Sequence, residues 1–73
     1  MELGKDTYVN GQKIYELKDN QLTFYYKDGK LKAQGPFENG MLQGKWTFYR
    51  ATGQLWEIGH FTNDLKDGSW IRY

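Results

Sequence analysis

The sequence predicts an all-β fold, a meander of consecutive antiparallel hairpins, and three observations predict it. First, the 73 residues include three Trp, six Tyr, four Phe and nine Gly, but one Pro. Such a mixture suits half-buried strands punctuated by tight turns. Second, large apolar residues recur with period two, which is strand spacing, and no stretch has helical periodicity. Third, the chain repeats itself. A shift of 24 residues sets Thr23 on Thr47, Phe24 on Phe48, Tyr25 on Tyr49, Gly29 on Gly53, Leu31 on Leu55, Gly35 on Gly59, Phe37 on Phe61, Asn39 on Asn63 and Gly44 on Gly68. Trp70 then falls on Trp46 and Tyr73 on Tyr49, the start of a further copy.

The elements follow from that register. Residues 1–20 match no clean repeat; Asn10-Gly11 closes one hairpin there and "KDNQ" forms a further turn, so this part reads as a degenerate capping hairpin. Residues 21–44 form the first repeat, with strands near 21–26 and 30–37 joined by "YKDGK". Residues 45–68 form the second, with strands near 45–50 and 54–61 joined by "RATGQ". "ENG" and "TND" close the alternate turns, and a last strand spans 69–73. Gly29 and Gly53 should take positive φ in equivalent hairpin loops. Gly35 and Gly59 fall inside strands, where a bare glycine lets a neighbouring aromatic lie across the backbone. These four are the structural glycines of the repeat.

Alternation sorts the side chains into two faces. Leu31, Ala33, Gly35 and Phe37 share one face with their counterparts Leu55, Glu57, Gly59 and Phe61, and three of those four positions are identical between copies. Leu31, Phe37, Leu55 and Phe61 are therefore expected in the core, joined by Leu22, Phe24, Trp46 and Phe48. Cross-strand register depends on the loop: two or four residues at "KDGK" place Phe24 with Leu31, whereas three place Tyr25 there. The other face carries Trp56, Ile58 and His60 in the second copy but Lys32, Gln34 and Pro36 in the first. The scaffold tolerates polar residues there, so Trp56, Ile58 and His60, with Tyr49 beside them, are the candidate binding residues. The competing expectation is that the sheet curls over this face and buries them.

The pattern carried by Trp46, Phe48, Tyr49, Gly53, Leu55, Phe61, Asn63, Gly68 and Trp70, with their counterparts one copy earlier, resembles the MORN-type repeat. It is closer to the variant in bacterial antitoxin-like proteins than to the eukaryotic form. The resemblance covers roughly residues 21–73, and Asp64 departs from it where the earlier copy has Gly40. It implies a ladder of hairpins forming an elongated, curved single sheet, and a binding or scaffolding role without catalysis.

Several chemistries find no support. Ten basic residues balance nine acidic ones and form no run, which removes the electrostatic case for nucleic acid. There is no cysteine, hence no disulfide and no thiolate metal site. No apolar stretch approaches the ~20 residues of a membrane-spanning helix. His60 and Ser69 are the only residues of their kinds and lie in different strands, with no acid placed to orient the histidine. Asp64 and Asp67 in "NDLKDG" lack calcium-loop spacing. The glycines precede no helix that could hold a phosphate. The reading is non-enzymatic, with no cofactor and no metal. The charged, turn-like N-terminus is unlike a signal peptide, and a cytoplasmic location is expected, with an exported domain whose signal has been removed as the alternative.

The function expected is a protein–protein interaction module, antitoxin- or immunity-like by resemblance. A lipid or membrane surface is the second class of partner, weakened by the near-neutral charge. Glycan or cell-wall binding is the third. The edge strand at 69–73 would also let a further copy of the chain pair by strand addition.

Overall fold

A computed structural model describes residues 3–73. Among them there is no helix. Seven strands, β1 (Tyr15–Lys18), β2 (Gln21–Tyr25), β3 (Leu31–Glu38), β4 (Met41–Leu42), β5 (Gly44–Tyr49), β6 (Leu55–Thr62) and β7 (Leu65–Arg72), form one antiparallel sheet. Its order is β1-β2-β3-β5-β6-β7, with β4 continuing the β5 side of β3. This is the meander expected. The sheet is broad as well as long, with extents of 36 × 30 × 17 Å.

Two kinds of turn alternate. At one end of the sheet lie two-residue turns with both central residues at positive φ: Asp19-Asn20 (50° and 62°), Asn39-Gly40 (52° and 74°) and Asn63-Asp64 (49° and 70°). This is the type I′ geometry whose twist matches the strands it joins, and short Asn and Asp side chains tolerate it. Asp64 has a further task that Gly40 cannot perform. Its carboxylate accepts the Leu42 N–H at 2.6 Å while its own N–H donates to the Leu42 carbonyl at 3.0 Å. Gln43 closes a second pair of bonds with Asn63, so this turn is clasped to the strand before it.

At the other end lie three equivalent loops. In each, the first residue donates its N–H to the fifth and accepts from the glycine in fourth place: Tyr8 to Gln12 around Gly11, Tyr26 to Lys30 around Gly29, Arg50 to Gln54 around Gly53. The three glycines have φ of 90°, 90° and 95°. These are three-residue loops ending in a left-handed residue. The N-terminal segment thus contains a shortened form of the repeat, bridged at Thr7–Lys13.

The loop length has a consequence for register. Tyr25 pairs with Leu31, but Phe24 pairs with Ala33, leaving Lys32 as an extra residue. In the second copy Tyr49 pairs with Leu55, Phe48 with Glu57, and Trp56 is the extra residue. Each is a β-bulge, which re-aims the side chain it carries and restarts the alternation. This corrects the expected core: Leu31 is only half-buried and Leu55 is exposed. The buried residues are Leu22, Ala33, Phe37 and Trp46, with Phe24, Phe48 and Phe61 packed against them.

The described residues form a single sheet with no second layer, so the core needs side chains that lie down on it. Trp46 crosses Gly35, and Trp70 crosses Gly59; a Cβ on Gly35 would stand 2.5 Å from the Trp46 ring. Phe61 meets both indoles edge-on, at 6.2 and 5.2 Å between centroids. β7 starts earlier than the expected residue 69, because Leu65 pairs with Thr62 directly after the turn and the strand kinks at Gly68 (φ 69°). The same kink at Gly44 (φ 66°) separates β4 from β5 in the first copy.

Candidate functional site

The two bulges place unlike residues on the core side of the sheet at its loop end. Around them lies an open groove of about 240 Å³, lined by Phe24, Tyr26, Lys32, Ala33, Phe48, Tyr49 and Trp56. Ala33 is buried and forms the floor, between the half-buried rings of Phe24 and Phe48. It is small where the second copy has Glu57, so the first copy leaves space at this position.

Two cation–aromatic pairs flank the groove, and they are related by the repeat. Lys32 lies 5.7 Å from the Tyr26 ring centroid, and Arg50 lies 5.4 Å from that of Trp56. Residue 26 corresponds to 50, and 32 to 56, so the two copies make the same contact with aromatic and cation exchanged. The exchange keeps a cation over the negative face of a ring in both. A hydrogen bond repeats with it. The Tyr26 hydroxyl donates to the Tyr49 carbonyl at 2.7 Å, and Arg50 Nη2 donates to the Tyr73 carbonyl at 3.3 Å. Tyr8 makes the corresponding bond to the Tyr25 carbonyl at 2.8 Å. Each loop is thereby tied to the end of a later strand, which fixes the ring or guanidinium that borders the groove.

Trp56 carries a second guanidinium, that of Arg72, 5.6 Å from its centroid. Arg72 also approaches the Glu57 carboxylate at 3.7 Å, with its own side chain 67% exposed and that of Glu57 only 15%. The groove is therefore apolar on its floor and basic around its rim.

The four candidate residues separate into two groups. Tyr49 and Trp56 line this groove together. Ile58 and His60 do not join them: they alternate with Glu57, Gly59 and Phe61 and so occupy the opposite face, where Ile58 pairs with Thr47 and Ile71 and His60 with Lys45 and Asp67. The bulge at Trp56 is the physical reason, since it breaks the alternation that would have grouped the three. Tyr26, Lys32 and Ala33 are the groove residues that alternation alone misses. The pairs 26/50, 32/56 and 33/57 are unlike between the copies, but so are most other positions, so the repeat by itself does not single these residues out.

Among the described residues no cluster of His, Asp and Glu could hold a metal ion, and no helix is long and apolar enough to cross a membrane. His60 stands exposed between Lys45 and Asp67, without an acid–base partner arranged for catalysis among those residues.

The comparisons with known proteins agree with this architecture. No curated protein and no solved structure matches the chain. The family model described as a MORN repeat variant matches twice, at residues 18–39 and 42–63, so that each match spans a three-residue loop, closed by Gly29 or Gly53, and the two strands that loop joins. With both repeats of the pattern matched over more than half of its length, the chain belongs to the MORN repeat family, whose repeats are interaction modules rather than catalytic ones.

Proposed function

We propose that this chain is a protein-binding module whose partner docks in the groove bordered by Tyr26, Lys32, Tyr49 and Trp56. The observation that carries the reading is a fixed aromatic groove on a scaffold too thin to need it. Trp46 and Trp70 already cover the sheet, whereas Trp56 stands on a bulge, half-buried at the rim. Trp and Tyr held rigidly and flanked by guanidinium groups are the residue types that dominate interface energetics. Size also favours a protein partner. About 240 Å³ falls below the roughly 300–1,000 Å³ of small-molecule sites. It suits one anchoring side chain of a larger partner.

An antitoxin or immunity protein is the specialised case in which that partner is a toxin. A toxin gene beside the gene for this chain would identify it. Membrane-surface binding is the second reading, supported by the same aromatic and basic rim.

Peptide display on the wild-type chain and on Trp56→Ala tests the proposal. Peptides that enrich on the wild type and are lost with Trp56→Ala support it. Absence of peptide enrichment, together with sedimentation on anionic phospholipid vesicles, would replace it with the membrane reading.

A further inference from the structure

If the groove is a protein-docking site, its lining also specifies the chemistry of the occupant. We propose that the groove receives an acidic, extended segment of another protein, anchored by one large apolar side chain.

Charge points to the acidic character. The chain as a whole carries a net charge of only +1, yet Lys32, Arg50 and Arg72 gather around this one groove. The carboxylate among them, Glu57, is largely covered and faces Arg72. Asp28 in the neighbouring loop is answered by Lys30 at 3.8 Å. Arg72 is answered by Glu57 and Arg50 by the Tyr73 oxygen at 3.3 Å, which leaves Lys32 as the rim cation with no acid against it among the described residues. The three cations are already held over Tyr26 and Trp56, so an anionic partner meets them with little further ordering.

The repeat points the same way. In the second copy Phe48 pairs with Glu57 and Glu57 in turn with Arg72, an acid against a base. The corresponding places in the first copy hold Ala33 and Phe48, beside Lys32. Where the second copy brings its own carboxylate, the first presents a hole with a cation next to it. An incoming acidic side chain can stand near Lys32 as Glu57 stands near Arg72. An apolar one fits the floor between Phe24 and Phe48.

Fluorescence polarisation of the intact chain with labelled pentapeptides separates the parts of this proposal. The probes are four Glu around a central Phe, four Gln around Phe, four Lys around Phe, and four Glu around Ala. The Glu–Phe peptide should bind about tenfold or more tighter than the Gln–Phe peptide, because its charges complement the rim. The Lys–Phe and Glu–Ala peptides should bind least. Lys32→Glu should abolish the preference for Glu–Phe and raise affinity for Lys–Phe, with an unchanged thermal midpoint, a reversal that a merely structural lysine would not produce. Equal binding of Glu–Phe and Gln–Phe that Trp56→Ala removes would overturn the acidic partner while leaving the docking site intact. Equal binding of Glu–Phe and Glu–Ala would overturn the anchor. Binding of none of the four would overturn the proposal, and capture on anionic phospholipid vesicles in that case would overturn the docking reading with it.

Discussion

The indole of Trp46 lies across Gly35 so closely that no side chain could stand between them: a Cβ there would sit 2.5 Å from three ring atoms. The indole N–H continues past the glycine and donates to the carbonyl of Pro36 at 3.0 Å. Trp70 repeats the crossing over Gly59, with its ring over the corresponding position. The glycine of one strand and the tryptophan of the next are thus one unit, and it lets a single sheet bury a core without a second layer.

Substitution at the glycine should therefore act through the tryptophan. Gly35→Ala is expected to destabilise by about 1–3 kcal/mol, the usual range for overpacking. Trp46→Ala removes a side chain only 1% exposed and should cost about 3–5 kcal/mol. The two should not add, since with the indole gone the new methyl group has space. Denaturant melts of both single variants and the double variant check this, and full additivity would mean that the contact is not what constrains Gly35.

The two tryptophans differ in one bond. The Trp46 N–H has its acceptor, whereas the Trp70 N–H is buried with none among the described residues. Replacing either by Phe loses similar ring area, but only Trp46→Phe breaks a hydrogen bond, and Trp70→Phe removes an unsatisfied donor. Trp46→Phe should be the more destabilising by about 1–3 kcal/mol. Thermal midpoints of the two variants decide the order.

Gly53 isolates the backbone contribution. Its φ is 95° and nothing lies within 4 Å of where a Cβ would stand, so a substitution meets strain but no clash. Gly53→Val should lower stability by more than about 1 kcal/mol. An unchanged melt would show that the loop can close without a left-handed residue.

The repeat, the hairpins and the crossing of aromatic over glycine can be read in the sequence because each needs a particular residue type at a fixed interval. Gly29 and Gly53, for example, stand where only a left-handed residue closes the loop. The bulges at Lys32 and Trp56 cannot be read in the same way. They arise when a three-residue loop pairs Tyr25 with Leu31 while core packing pairs Phe24 with Ala33, and that is a compromise between two strands, not a property of either. Strict alternation consequently puts Trp56 with Ile58 and His60, and places Leu55 in the core. The early start of β7 is masked for a related reason. "LKDG" has turn chemistry, and it is pairing with β6 that makes it strand.

Trp56 is half-buried under two guanidinium groups, so its removal should cost little folding energy. The expected loss is about 1–2 kcal/mol, from cation–aromatic contacts worth roughly 0.5–1 kcal/mol each at exposed sites. A melt of Trp56→Ala that matched Trp46→Ala would make Trp56 a core residue and remove the case for a groove.

The location of the site is the central claim, and chemical-shift mapping tests it most directly. Isotopically labelled chain would be titrated with a peptide selected on the wild type, and the backbone and indole N–H signals followed. The largest shifts are predicted to fall on Lys32, Ala33, Phe48, Tyr49 and the Trp56 indole, with Ile58, His60 and Ile71 unmoved. Shifts concentrated on Ile58, His60 and Ile71 instead would put the partner on the opposite face and contradict it.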